Sequence, residues 1–120
     1  MWRFFNPNRC GKSVGDCAVR AVCAALGLTW QESFDLLCDE GRRQCDMPSS
    51  NVVWGAVLER NGFALAGVPG RITAREFGER YPRGCYVLAF NRHVATIIDG
   101  VLYDSWDSSN ELPIYCFREV

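Results

Sequence analysis

The order of the predicted elements assigns the chain to the α+β class, with helices first and an antiparallel β-sheet at the C-terminal end. Helix patterns dominate residues 17–81, and strand-like runs separated by turn residues occupy 85–117. Chains in which helices precede a run of strands commonly fold in this way. With 120 residues, of which 48% are hydrophobic, we expect residues 1–120 to form one globular domain.

Composition argues against several classes of partner. The net charge of -1, without a basic stripe interleaved with aromatic residues, argues against binding to nucleic acid or an anionic membrane surface. No apolar run approaches the roughly 18 residues of a membrane span. Residues 1–8 are too short and too polar for a secretory signal. We therefore expect a soluble, cytoplasmic protein.

Seven cysteines are many for this length, and in a reducing compartment we expect them to be free thiols. Cys23, Cys85 and Cys116 lie in apolar runs and are predicted to be small buried hydrophobic residues. A zinc site is not predicted, because the chain has no Cys-x-x-Cys pair and only one histidine. No metal or organic cofactor is implied.

The first helix is predicted over residues 17–26, after an irregular segment at 1–16 that proline and glycine interrupt. Asp16 is a natural N-cap, and Gly27 is suited to end the helix. The helix is alanine-rich and apolar on nearly every side, which is typical of a buried helix. Cys17 is thereby placed in its first turn.

The remaining helices follow from two capping boxes and one N-cap, and the strands from short β-branched runs. We predict helices from Thr29 to about Glu40 with Gly41 beyond, from Ser50 or Asn51 to about Asn61, and from Thr73 to just before Pro82. Strands are predicted at 63–68, 85–90, 93–98, 101–106 and 114–117. The loop at 41–48 is either the rim of a substrate site or an ordinary solvated loop.

Asp99-Gly100 is the strongest hairpin signal in the chain, and it is flanked by two strand-like runs. If these two residues form the turn, His93 on one strand faces Trp106 on the other. Side chains alternate across a strand, so His93, Asp104 and Trp106 project from one face, with His93 and Asp104 as diagonal neighbours. A carboxylate beside an imidazole can fix its tautomer and stabilise the imidazolium form.

Cys17 is the candidate nucleophile for this pair. A helix N-terminus and a nearby imidazolium both lower the pKa of a thiol, and a first-turn N–H is free to bind an oxyanion. If the helix begins near His93, then Cys17, His93 and Asp104 are nucleophile, general base and orienting carboxylate. Arg20, one turn further on, is interpreted as a structural partner of Asp16 or another carboxylate, or alternatively as a charge that tunes the Cys17 pKa.

These motifs resemble the papain-like cysteine peptidase superfamily. Gly15-Asp16-Cys17 opens a helix, His93 opens a strand, and Asp104-Ser105-Trp106 stands where the family has Asn-Ser-Trp. Asp104 takes the asparagine position, as in the papain-like leader peptidases of bacteriocin exporters. Residues 15–21 are similar to the Gly-Asn-Cys-Leu-Phe-Arg-Ala element of ovarian-tumour-type deubiquitinases. Most of residues 28–84 carries no family motif.

The resemblance implies a small bacterial or phage member with a buried N-terminal helix packed on the sheet. It implies cleavage of a peptide or isopeptide bond in a peptide or protein substrate, through a Cys-His-Asp triad and an acyl-enzyme. Papain-like enzymes usually carry a glutamine about six residues before the cysteine, where this chain has Gly11. Lys12 and Asn6, together with Asp16, are therefore the candidate oxyanion or substrate residues. Trp106 is expected to cover the histidine or to belong to the core.

Two alternatives remain open. The same triad could serve a Cys-His-Asp acyltransferase or amidase, because these enzymes share the acyl-enzyme step. A catalytically silent papain-like module that binds a partner in a phage or bacterial assembly would account for the missing glutamine. Taken singly, Cys17 could be a buried helix residue, His93 a core histidine and Asp104 a solvated hairpin residue.

Overall fold

Four helices and one six-stranded mixed sheet form the α+β fold that the sequence predicts. A computed structural model describes all 120 residues. The helices are Cys17–Leu26 (α1), Trp30–Gln44 (α2), Asn51–Arg60 (α3) and Ala74–Arg80 (α4). The strands are Trp2–Phe4 (β1), Phe63–Gly67 (β2), Cys85–Phe90 (β3), His93–Ile98 (β4), Val101–Asp104 (β5) and Tyr115–Glu119 (β6).

The strand order in the sheet is β1-β5-β4-β3-β6-β2. All neighbouring pairs are antiparallel except β1 and β5, which are parallel. The sequence-based expectations of an irregular segment at 1–16 and of a wholly antiparallel sheet are therefore wrong at β1. This strand has only three residues, too few for a readable alternation, and it exists because its backbone pairs with β5. The Phe5 N–H, just after it, donates to the Asp104 carbonyl at 2.8 Å.

Helix α1 packs against β4 on one side and against α2 on the other, as expected for a helix that is apolar all round. Its residues from Ala18 to Cys23 are all buried. Hydroxyl groups anchor the helix from both sides. Thr96 on β4 donates to the Ala21 carbonyl at 2.7 Å, and Ser33 on α2 donates to the Val19 carbonyl at 2.9 Å. The N-terminus of α1 is thus held in a fixed position over the sheet.

The two faces of the sheet are covered by different helices. Side chains from α1, α2 and α3 share a hydrophobic cluster with Val87 and Val94 of the sheet. Side chains from α4 share a second cluster with Leu88 and Ile97, which alternate with the first pair along the strands. None of the four helices combines the length and the apolar character needed to cross a bilayer.

The C-terminal end of α2 differs from the prediction. The helix does not end near Glu40 but continues to Gln44, and Cys45 in the left-handed region caps it with a φ of 54°. Gly41 therefore lies within the helix. A Cβ at Gly41 would approach the Asp46 carbonyl oxygen to 2.7 Å, so this glycine lets the following loop fold back onto the helix.

The starts of α2, α3 and α4 confirm the predicted signals. Both capping boxes form, with Thr29 and Thr73 each accepting from the backbone of the glutamate three residues on. Helix α3 has Ser50 at its N-cap position. Strand β5 ends at Asp104, before the predicted end at 106, because the chain bends away from the sheet there.

Candidate active site

The β4–β5 hairpin has the predicted two-residue turn and the predicted register. Asp99 and Gly100 have φ values of 49° and 80°, as expected for a turn with two left-handed residues. Ile98 pairs with Val101, and this register extends along both strands. The hairpin thereby carries His93 at the first position of β4 and Asp104 at the last position of β5.

Asp104 is 1% exposed and accepts hydrogen bonds on both carboxylate oxygens. Oδ2 accepts from His93 Nε2 and from Ser108 Oγ, each at 2.6 Å. Oδ1 accepts from the Ser105 N–H at 2.7 Å and from Arg20 Nη2 at 3.2 Å. Burial alone would raise the pKa of this carboxyl group, but the bonds to His93 and Ser108 outweigh it and lower the pKa. Asp104 is therefore an ionised, fully hydrogen-bonded carboxylate.

His93 is held in a charged state by its neighbours. Burial opposes the imidazolium form, but hydrogen bonds to Asp104 and Cys17 and their negative charges raise the His93 pKa to about 9. Because Nε2 is occupied by Asp104, only Nδ1 remains for the Cys17 thiol. The carboxylate thus determines which ring nitrogen is directed to the cysteine.

Cys17 is the first residue of α1 and is half-buried. Burial raises the pKa of its thiol, but a hydrogen bond from His93, the backbone N–H of Val94 and the charges of His93 and Arg20 together lower it. A helix N-terminus favours a thiolate in the same sense. These contacts favour a thiolate–imidazolium pair between Cys17 and His93.

Asp16 occupies the N-cap position of α1, as predicted, but its side chain does not cap the helix. One carboxylate oxygen is paired with Arg20 and the other accepts from the indole N–H of Trp30 at 2.8 Å. These two stronger donors displace the usual bond to the helix backbone. Arg20 joins Asp16 to Asp104, as expected for a structural partner of carboxylates. Its charge also lowers the Cys17 pKa, in agreement with the alternative interpretation.

The candidate oxyanion side chains Asn6 and Lys12 form no hydrogen bond with the triad. Asn6 Nδ2 donates to the Lys12 carbonyl at 3.1 Å, and the Lys12 side chain is exposed. The Cys17 N–H, in contrast, donates no hydrogen bond within the chain. It is the donor next to the thiol that remains available for an oxyanion.

Trp106 lies beside His93, with ring centroids 5.0 Å apart and planes at 44°. The indole is 45% exposed, so it covers one side of the imidazole and does not belong to the core. A cover of this kind keeps water from part of the His93–Asp104 pair and strengthens their electrostatic attraction.

Ser108 was missed in the sequence, although its side chain is completely buried against Asp104. It lies in a loop that the start of α4 holds in place: the Ser109 carbonyl accepts from the Arg75 N–H at 2.9 Å, and the Glu111 carbonyl accepts from Ala74 at 3.0 Å. In the sequence, a serine four residues after Asp104 and beyond the end of the strand gives little indication that it contacts the carboxylate. Its position depends on α4, which is distant in the sequence.

A cavity of about 330 Å³ opens beside the residues that flank Cys17. Its wall includes Trp30 and Phe34, whose rings stack with centroids 5.0 Å apart. Pro48, from the loop that the sequence suggested as a substrate rim, is also part of the lining. The lining residues are Val14, Gly15, Asp16, Ala18, Val19, Trp30, Phe34, Pro48 and Ser49.

Cys17, His93 and Asp104 therefore lie together as the sequence predicted, with two partly buried groups and a buried carboxylate. The surroundings lower the pKa of the Cys17 thiol and of Asp104 and raise the pKa of His93. Such a group can attack an electrophilic carbonyl and return a proton to a leaving group. No protein-family model, no curated protein and no solved structure matches the chain.

Proposed function

We propose that the chain is a papain-like cysteine hydrolase that cleaves a peptide or isopeptide bond. The observation that carries the proposal is geometric: Cys17 begins α1, and His93, which neighbours it, is bonded through Nε2 to Asp104 Oδ2 at 2.6 Å. The lowered pKa of the half-buried Cys17 thiol is consistent with this arrangement. A buried cysteine without a catalytic role normally has a raised thiol pKa, because burial disfavours the thiolate. Ionisable groups with shifted pKa values that lie together in this way are typical of catalytic sites.

The proposed reaction begins when the Cys17 thiolate attacks the carbonyl carbon and forms a C–S bond. The negative charge moves to the carbonyl oxygen, which the free N–H of Cys17 stabilises. The C–N bond then breaks, and His93 gives its Nδ1 proton to the leaving amine. The product of this half-reaction is a thioester between Cys17 and the acyl part of the substrate.

Hydrolysis of the thioester regenerates the site. His93 takes a proton from a water molecule, the hydroxide attacks the thioester carbonyl, and the C–S bond breaks with Cys17 leaving as a thiolate. Asp104 orients the ring and stabilises its charge in both half-reactions, and it is not itself protonated. Transfer to an amine in place of water would make the protein an acyltransferase by the same steps.

The position of Asn6 favours one rival from a different class. Its amide already donates to the Lys12 carbonyl, so Asn6 is not a free side-chain donor for an oxyanion at Cys17. A protein with a single backbone oxyanion donor would stabilise the tetrahedral intermediate less well. A catalytically silent module that binds a partner protein is therefore the second candidate.

Alkylation of the folded protein with limiting iodoacetamide from pH 5 to 9 tests the proposal, with the modified cysteine located by mass spectrometry. We expect Cys17 to react faster than the reference thiols at pH 6, because its neighbours lower the pKa of its thiol. The exposed Cys10 and Cys45 in the same sample are reference thiols. In His93→Ala the Cys17 rate at pH 6 should fall by about 100-fold, since an ordinary thiol with a pKa near 8.5 is mostly protonated.

Slow labelling of Cys17 that rises only above pH 8 and matches the reference thiols would contradict the hydrolase proposal and favour the binding module. If labelling is rapid, a thioester trapped from peptide or isopeptide substrates, followed by addition of water or amines, distinguishes a hydrolase from an acyltransferase.

A further inference from the structure

We propose that Arg20 is a positioning residue that holds Asp104 in the orientation that presents Oδ2 to His93. The inference rests on the proposed function, because it concerns how the same site is aligned. Arg20 forms its ion pairs with Asp16 and Asp104. In addition to the direct effect of its charge on the Cys17 thiol, it acts through Asp104 and through α1, the helix that also carries Cys17.

The hydrogen bonds on Asp104 divide between its two oxygens. Oδ1 accepts from Arg20 and from the Ser105 N–H, whereas Oδ2 accepts from His93 and Ser108. Rotation of the carboxylate would break bonds on both oxygens at once. Because Arg20 is the charged donor on Oδ1, it contributes a strong restraint on the side that does not meet the histidine.

The other end of Arg20 is equally well anchored. Its second terminal nitrogen pairs with Asp16, and Asp16 accepts in turn from the indole of Trp30 on α2. The line of contacts from Trp30 through Asp16, Arg20 and Asp104 to His93 joins α2, α1, β5 and β4. The helix that carries the nucleophile and the strand that carries the carboxylate are thus joined by one guanidinium group.

The chemistry of the site requires arginine rather than any cation. A guanidinium group has a planar fork that can reach two carboxylates at once, and lysine has a single charged nitrogen. Arg20 is 7% exposed, and its Nε has no hydrogen-bond partner. A buried donor without a partner lowers stability, and folds retain such a cost mainly at functional sites.

A second buried carboxylate provides a matched control. Glu40 on α2 accepts from Arg60 on α3 at 2.8 Å and from Gln44 at 2.7 Å. This cluster joins two helices, as the Arg20 cluster joins a helix and a strand, but it contains no histidine or cysteine. The Arg60 side chain is 60% exposed, so solvent screens its charge.

The experiment compares Arg20→Lys, Arg20→Met and Arg60→Met by the pH dependence of Cys17 alkylation and by thermal unfolding. We expect both Arg20 variants to move the midpoint of the alkylation profile upward by about one pH unit, which slows alkylation roughly tenfold at pH values well below that midpoint. Lysine should fail to restore the profile because it cannot hold both carboxylates. Arg60→Met should lower the unfolding temperature without moving the midpoint.

Two results would overturn the proposal. Full restoration by Arg20→Lys would show that only the positive charge matters, and a lowered unfolding temperature with an unchanged midpoint would show a purely structural role. If Arg20→Met does not fold, Asp16→Asn removes the anchor and leaves Arg20 in place, and it should give a smaller shift in the same direction. Failure of the proposed function is separate, because the wild-type Cys17 would then lack rapid labelling at pH 6.

Discussion

Cys17 and Cys23 lie on the same helix, and their surroundings move their thiol pKa values in opposite directions. Burial opposes ionisation of both thiols. At Cys23, in the middle of α1, the negative charge of Asp16 adds to the effect of burial and the pKa is raised. At Cys17 the imidazole of His93 and the N–H of Val94 outweigh burial and the pKa is lowered. The two thiol pKa values therefore move apart because of the neighbours of each cysteine and its position along the helix.

The cysteines of the sheet extend the comparison. Burial, with the charges of Glu119 and Asp99, raises the pKa of Cys85 to about 12, and burial also raises the pKa of Cys116. Both are buried, as is Cys23, which confirms the predicted burial of these three residues. Cys17 differs from these three thiols chiefly in its contact with His93, the single histidine of the chain.

The largest expected effect is the loss of rapid alkylation when Cys17, and not Cys23, is replaced. In Cys17→Ala the fast alkylation phase at pH 6 should disappear, whereas in Cys23→Ala it should remain. Cys23→Ala should instead lower the free energy of unfolding by about 1–2 kcal/mol, because it leaves a small cavity in the core. Stopped-flow alkylation and urea unfolding measure the two effects. A fast phase that survives Cys17→Ala would place the reactive thiol elsewhere.

A smaller effect concerns stability between pH 6.5 and 8.5 in Cys17→Ala. Asp104 still raises the His93 pKa above its ordinary value of 6.5, so the folded state keeps a proton that the unfolded state releases. This stabilisation is fully present below pH 6.5 and is lost as the pH rises towards the folded pKa. We expect the free energy of unfolding to fall by about 1–2 kcal/mol across this range.

The wild type should be flatter over the same range. In its folded state the raised His93 pKa retains a proton and the lowered Cys17 pKa releases one, so the two shifts change the number of bound protons in opposite directions. Urea unfolding at several pH values measures both slopes, and Cys17→Ala/His93→Ala is the control that should remove the fall. Equal slopes in the single and double variants would show that His93 does not bind the extra proton.

The smallest expected effect is on the Cys17 alkylation rate when Trp106, which covers one side of His93, is replaced. Trp106→Ala should admit water to the exposed side of His93 and weaken its attraction to Asp104 and Cys17. We expect the Cys17 alkylation rate at pH 6 to fall by about threefold, with little change in stability because the indole is half exposed. Phe4→Ala, at an exposed aromatic residue of β1, is a matched control. An unchanged rate would limit Trp106 to contacts with substrate.

Features that depend on neighbouring residues in the chain were predictable. The capping boxes at Thr29 and Thr73 and the Asp99-Gly100 turn are local, so their sequence patterns predicted helix starts and hairpin register correctly. Strand β1 and the continuation of α2 through Gly41 were not predictable. The first depends on pairing with β5, and the second on the approach of the loop to Gly41.

The sequence by itself determined the α+β class, the helix that begins at Cys17 and the pairing of His93 with Asp104. These follow from periodicity, a helix cap and a two-residue turn, all of which act over a few residues. The tertiary structure alone decided that α1 begins beside His93, that Arg20 joins Asp16 to Asp104, and that Ser108 completes the carboxylate's bonds. These contacts join elements far apart in the chain, so they depend on packing and not on local sequence.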